Sequence, residues 1–350
     1  MAENLSSLGL LMAGATSISN VIKDVGAKKV LERNEVIAST FWIRLFAAVT
    51  FGVVLAFRAM NGLLPGINPS GSAFFGVAGW EVSALVEWVV YLFIEVILVA
   101  CNTIIMFRAI QITPLSVCIP YMSFTPVFLI VTDYVINGVI PAPPYWIGVF
   151  LIFVGSIVMH RELFSLGWLE PVKAIYRERG CLYMLIVGFV NSITNPIDAK
   201  LVKMTDAFAQ AFAFGCGMVL FFTILSWARR AELGAVMRSV PLWAMLAGAL
   251  EAIALIFQLA SHNYLPVAIT ISIKRAGIIL TVLLGWLIFK ERDIGDKLIA
   301  ASVMLAGAII FYAKLTMTQG IILAIVTLIV MSIALFLTRK PTVAVTPEAI

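Results

Sequence analysis

The chain has 350 residues, 62% of them hydrophobic and 12% charged, with a net charge of +5. That is about half the charge a soluble globular chain of this length needs to clothe its surface, which excludes water as its main solvent. Nor does the positive balance point to nucleic acid, because membrane proteins concentrate Lys and Arg in their cytoplasmic loops and position outweighs the sum.

A helix crossing the hydrocarbon layer satisfies its backbone internally and needs about 20 apolar residues. Segments of that kind recur in chain order over 5–22, 36–57, 88–107, 115–136 and 140–159, then over 181–199, 208–227, 242–259, 267–289, 294–312 and 321–337. The short alternating strands of a barrel are absent from the pattern. The opening residues Met1, Ala2, Glu3 and Asn4 lack the basic stretch and cleavage site of a signal peptide, so the first segment is expected to remain as a span. The stretch from Met60 to Val86 reads as a Gly- and Pro-rich insertion, and 161–180 as a linker in which an interfacial helix fits Trp168, Leu169, Val172 and Ile175 interleaved with Lys173, Arg177 and Arg179. Cys101, Cys118, Cys181 and Cys216 lie inside apolar spans without metal-like or disulfide-like spacing and are expected to be plain structural thiols.

When the loops are assigned alternately, Lys23, Lys28, Lys29, Arg33, Arg108, Arg161, Lys173, Arg177, Arg179, Arg229, Arg230, Arg238, Lys290, Arg292 and Lys297 fall on one side. Arg58, Lys200, Lys203 and Lys314 fall on the other. The positive-inside rule makes the first side cytoplasmic and places the amino terminus outside.

Two halves share a pattern. Ser17-Ile18-Ser19-Asn20 returns as Ser192-Ile193-Thr194-Asn195 at an offset of 175, and Glu95 with Asn102 returns as Glu251 with Gln258 at an offset of 156. Pro114 returns as Pro266, and Gly148 to Gly155 as Ala300 to Gly307, both at an offset of 152. Offsets that shrink in order are what duplication followed by loop shortening produces. Five helices per half, an odd number, make the second copy enter from the opposite face. The expected fold is therefore all-α: a polytopic membrane protein of two inverted five-helix repeats plus one extra C-terminal transmembrane helix. Its divisions are 1–160, the linker 161–180, 181–314, the extra helix at 318–338 and the tail 339–350. Such repeats offer two nearly equivalent packings, the geometric requirement for alternating access.

Three stretches carry a family resemblance: Phe41-Trp42-Ile43-Arg44, the pair Gly148 and Gly155, and the run from Leu283 through Lys290-Glu291-Arg292 to Gly307. Together they make the chain similar to the drug/metabolite transporter superfamily, and to its EamA-like family in particular, over roughly Leu8 to Lys314. That resemblance implies ten spans in two inverted repeats and carriage of a small metabolite or drug without ATP. It also implies an amino terminus inside, against the basic-residue pattern, and leaves the eleventh span without a counterpart.

Charges within a span are costly and point to function by default. Lys274 shares a helical face with Thr270, Gly277, Thr281 and Gly285 and is the strongest candidate to bind substrate; Arg275 projects about 100° away and serves as well for an ion pair. Asn20, Asn195, Tyr121, Gln258 and Asn102 complete the candidate binding set, and Pro196 is expected to break its helix locally. Glu95 and Glu251 are candidates for charge balance against Lys274 or Arg275, or for proton exchange. His262 is expected at the solvated membrane edge.

No metalloprotease, serine-hydrolase or phosphate-loop motif occurs, so the expectation is no enzyme, no cofactor and no metal. The expected partners are a small-molecule substrate and the lipid bilayer of a bacterial inner membrane, with a homodimer open. Two rival readings remain: efflux of a cationic or apolar compound coupled to protons, and a membrane subunit or sensor that transports nothing.

Overall fold

A computed structural model describes residues 2–63, 84–125, 127–128, 132, 144–161, 169–264, 267–290, 294–312 and 316–337. Among them every regular element is helical: α1 (Ala2–Leu31), α2 (Val36–Met60), α3 (Ala84–Ile112), α4 (Leu115–Cys118), α5 (Pro144–Val158), α6 (Glu170–Arg177) and α7 (Arg179–Met204). There follow α8 (Ala207–Arg229), α9 (Leu233–Ser239), α10 (Pro241–Ser261), α11 (Val267–Phe289), α12 (Ile294–Tyr312) and α13 (Met317–Leu337). Six of the described helices are long and apolar enough to cross a membrane: α2, α3, α7, α8, α10 and α13. Shorter apolar helices cover Leu115–Phe124, Trp146–Val158 and Gly277–Phe289. The insertion at 64–83, Pro126, Pro266, Glu291, Arg292, Lys314 and the tail lie outside the described residues.

Local chemistry explains several boundaries. Asp206 caps α8, its Oδ1 accepting from the Phe208 and Ala209 amides at 2.8 and 2.7 Å, while its Oδ2 pairs with Arg58 at 3.0 Å. Replacing Asp206 with Ala is expected to cost about 1–2 kcal/mol, with Asn recovering the capping share; thermal unfolding in detergent measures both. Pro241 opens α10, where a missing N–H is harmless. After α4 the chain tightens into a 3-10 turn over Ile119–Phe124, because Pro120 has no amide hydrogen to continue the α pattern. Helix α1 outruns its apolar segment by nine residues, from Ile22 to Leu31, and carries Lys23 and Asp24 inward as an ion pair of 3.0 Å. Helix α7 runs through Pro196 without ending, so the expected break reduces to one missing hydrogen bond, at the carbonyl of Ser192.

The linker is helical over α6, where Glu170 pairs with Lys173 at 2.8 Å and with Arg177 at 2.9 Å. The Lys173 hydrogen bond, aided by both cations, holds the half-buried Glu170 carboxyl below the usual carboxylate range.

The chain forms two compact units, residues 1–107 with 193–274 and residues 108–192 with 275–350, so each draws on both sequence halves. In the first, α1 packs on α10, and α2 packs on α8 and α10, around Ala47, Phe51, Ala211, Ala252 and Leu259. Small residues let these backbones approach closely, which is how helices associate where lipid removes the hydrophobic drive.

In the second unit α5 packs against α12, and α13 lies on both. A Cβ added at Gly155 would stand 2.9 Å from the Ala300 carbonyl and 2.5 Å from the Met304 side chain. One added at Gly307 would stand 2.7 Å from the Gly148 carbonyl and 2.8 Å from the Ile152 side chain. Each of these residues stands 152 positions from its counterpart, so the two contacts map onto one another. Arg161 ties this unit at one end, with its Nε 2.7 Å from Asp296 and its Nη1 donating to the Leu335 carbonyl of α13 at 3.3 Å.

Candidate functional site

Buried polar groups of the first unit gather in two linked clusters. In one, Arg44 of α2 sets its Nη1 2.6 Å from Glu251 Oε1 of α10 and donates from Nη2 to Thr103 Oγ1 of α3 at 2.6 Å. Gly248 makes this pair possible: a Cβ there would lie 2.5 Å from the Ile43 carbonyl, so α10 rides directly on α2 and presents Glu251, one turn on, to Arg44. The pair is incompletely satisfied. Arg44 Nε and Glu251 Oε2 are both buried without a hydrogen-bond partner among the described residues.

In the other cluster, Glu95 of α3 accepts from Gln210 Nε2 of α8 at 3.1 Å, and Trp88 Nε1 donates to Gln210 Oε1 at 2.9 Å. The Glu95 carboxyl also lies near enough to Asp198 of α7 for the two charges to act on each other. Two carboxylates brought together repel, and a proton on either one relieves the repulsion. Lys274 lies close enough to Asp198 to act on it electrostatically, and its Nζ donates to Gln258 Oε1 at 2.7 Å. Ser17 donates to the Lys274 carbonyl at 3.4 Å, and Ser261 and Thr270 share a hydrogen bond of 3.0 Å beside it.

A line of titratable groups continues along α3. Glu87, Tyr91 and Glu95 stand at i, i+4 and i+8 on one face, and Lys200 reaches Glu87 at 2.7 Å and the Tyr91 hydroxyl at 3.0 Å. The line thus runs from the end of α3 to the carboxyl groups of Glu95 and Asp198.

Lys274, Gln258, Glu95 and Glu251 accordingly all fall within the first unit. Glu251 meets Arg44 there, where charge balance against Lys274 or Arg275 was expected. Asn102 is buried on α3, and Asn20 turns its amide back to the Thr16 carbonyl at 2.9 Å. Asn195 is half-buried on α7. Tyr121 lies in the second unit, fully buried, bonded to His160 Nε2 at 3.0 Å and donating to the Ser156 carbonyl at 3.3 Å. The side chain of Arg275 lies outside the described residues. His262 closes α10 with both ring nitrogens buried and unbonded among the described residues, a drier setting than the expected membrane edge.

Sequence reading passed over Asp198, Gln210 and the pairing role of Arg44. A signal existed for each. Asp198 follows Asn195 by three residues, almost one helical turn, but stands at the end of its apolar segment, where solvent is the ordinary setting. Gln210 follows Arg44 by 166 residues, between the offsets of 175 and 156, and both donate to the carboxyl group of a third helix.

Residues 180–311 match the model of a family described as "Putative inner membrane exporter, YdcZ", which is of the drug/metabolite transporter type. No curated protein matches the chain. A solved crystal structure 13% identical aligns over 89% of this chain and 97% of its own, with a TM-score of 0.55, and this likeness concerns the fold alone. Apolar helices of spanning length and an inner-membrane family together make this an integral membrane protein of the inner-membrane kind, and the matched family supports transport.

Proposed function

We infer that the protein is a secondary transporter that exports a small anionic or zwitterionic metabolite by alternating access, with its polar centre in the first unit. The carrying observation is the Arg44–Glu251 pair, which leaves one buried donor and one buried acceptor unfilled among the described residues. Unfilled buried polar groups are costly, and a ligand carrying both an acceptor and a donor relieves both at once. Lys274 supplies a second cation, held ready by Gln258. Export follows the description of the matched family.

Alternating access draws support from reciprocity. The Gly155 and Gly307 contacts exchange under the 152-residue offset, and Arg44 and Gln210 play matching parts toward Glu251 and Glu95. A duplicated structure with two near-equivalent packings has the means to open to either side.

Glu95 and Asp198 favour coupling to protons. Neighbouring carboxyl groups repel when both are charged, so taking up a proton and releasing it as a cation approaches is a step this pair can make. In liposomes holding the purified protein, Lys274→Met is expected to lower flux of an anionic or zwitterionic substrate by about 10–100-fold, the worth of one charge-assisted hydrogen bond. Glu95→Gln is expected to retain downhill flux while erasing its response to an imposed pH gradient. Unchanged flux in Lys274→Met would remove that residue from the substrate path.

A further inference from the structure

At the far end of α8 from Asp206 lies a cavity of ≈ 640 Å³ lined by Thr223, Ser226, Trp227, Arg230, Ala231 and Leu233. Two independent features make it a built site. Ser226 is 3% exposed, and its Oγ has no hydrogen-bond partner among the described residues. Arg230 adopts the left-handed conformation, φ 51°, at the position after a helix where glycine is the favoured residue. An L side chain there is strained, and strain of this kind is kept where the side chain is needed. Capping does not need the guanidinium: the backbone amides of Arg230 and Ala231 already close the helix by donating to the Trp227 and Ser226 carbonyls, at 3.2 and 3.0 Å.

The surroundings indicate the ligand. Trp227 is 83% exposed at the end of a spanning helix, where tryptophan marks the headgroup level of a bilayer. Arg229, Arg230 and Arg238 outnumber the one carboxylate of this stretch, Glu232, so the net charge beside the cavity is positive and suits anionic lipid. Leu233 forms part of the wall and is pinned by Trp42, whose Nε1 donates to its carbonyl at 2.7 Å. We propose that this cavity binds the phosphate headgroup of an anionic phospholipid, with the Arg230 guanidinium and the Ser226 hydroxyl on the phosphate oxygens and Trp227 and Leu233 against the glycerol and upper acyl chain.

The full-length protein, purified in detergent, is titrated with phosphatidylglycerol, phosphatidylcholine or inorganic phosphate while thermal unfolding is followed. Phosphatidylglycerol is expected to raise Tm by about 3 °C or more beyond phosphatidylcholine, with inorganic phosphate inert. Arg230→Gly removes the charge while suiting the left-handed backbone, and is expected to abolish the lipid-dependent rise. Arg230→Lys should keep part of it, and Ser226→Ala should reduce it. An equal rise with both lipids, or one that survives Arg230→Gly, would overturn the proposal. A rise with inorganic phosphate alone would overturn the lipid assignment. None of these outcomes depends on transport, so this site and the transport reading fail separately.

Discussion

Arg44→Met is expected to destabilise the protein by about 3–5 kcal/mol, because it leaves the Glu251 carboxylate buried and uncompensated. The pair is 2.6 Å apart, and the two side chains are 9% and 13% exposed, so solvent screens it little. Glu251→Leu strands the guanidinium in the same way, apart from its bond to Thr103. The informative variant is the double one. Arg44→Met with Glu251→Leu replaces a desolvated ion pair by apolar groups of similar volume, an exchange that is often neutral or stabilising. Its unfolding midpoint is expected to return near that of the parent while its flux stays abolished. Recovery of both stability and flux would show the pair to be structural only, and would sink the substrate role assigned to its unfilled donor and acceptor. Thermal unfolding and liposome flux on the same preparations separate the two outcomes.

Gly307→Leu is expected to be the most damaging single substitution in the second unit. At this crossing even a bare Cβ would stand 2.7 Å from a backbone oxygen, and backbone cannot step aside as a flexible side chain can. Overpacking of this kind costs about 1–3 kcal/mol for small additions, and a leucine adds three further carbons to a site without room for the first. Gly155→Leu should behave alike, because its contacts with Ala300 and Met304 mirror those of Gly307 with Gly148 and Ile152. Gly14→Ala provides the contrast: nothing lies within 4 Å of the added carbon, so the gain in helix propensity, about 1 kcal/mol, should appear as a small stabilisation. Comparable Tm values for Gly307→Leu and the parent would refute the close approach of α5 and α12.

Much of this was legible beforehand because the signals were local. Spans announce themselves by about 20 consecutive apolar residues, and the helices found at α2, α3, α8, α10 and α13 lie where the apolar segments were read. The late glycines were visible as an interval in the chain, although what they touch was not. Lys274 stood out because a cation inside an apolar segment is costly wherever its partner is. Tyr121 lies between Pro120 and Pro126 in its segment, which marks it as a candidate cavity wall, and the structure gives its hydroxyl to His160 and the Ser156 carbonyl, residues more than 30 positions away.

What the amino-acid order determined by itself was the solvent, the helices and the short list of charges that lipid would not tolerate alone. Which charge answers which was decided only in three dimensions. Arg44 and Glu251 are separated by 207 residues, and Glu95 and Asp198 by 103. Nothing in the neighbourhood of either partner names the other. Close helix approach, licensed by Gly248 and the small residues around it, brings Arg44 and Glu251 within hydrogen-bonding distance. Electrostatic pairing acts over a few ångströms, and only packed helices convert a separation of 100 or 200 residues into so short a distance.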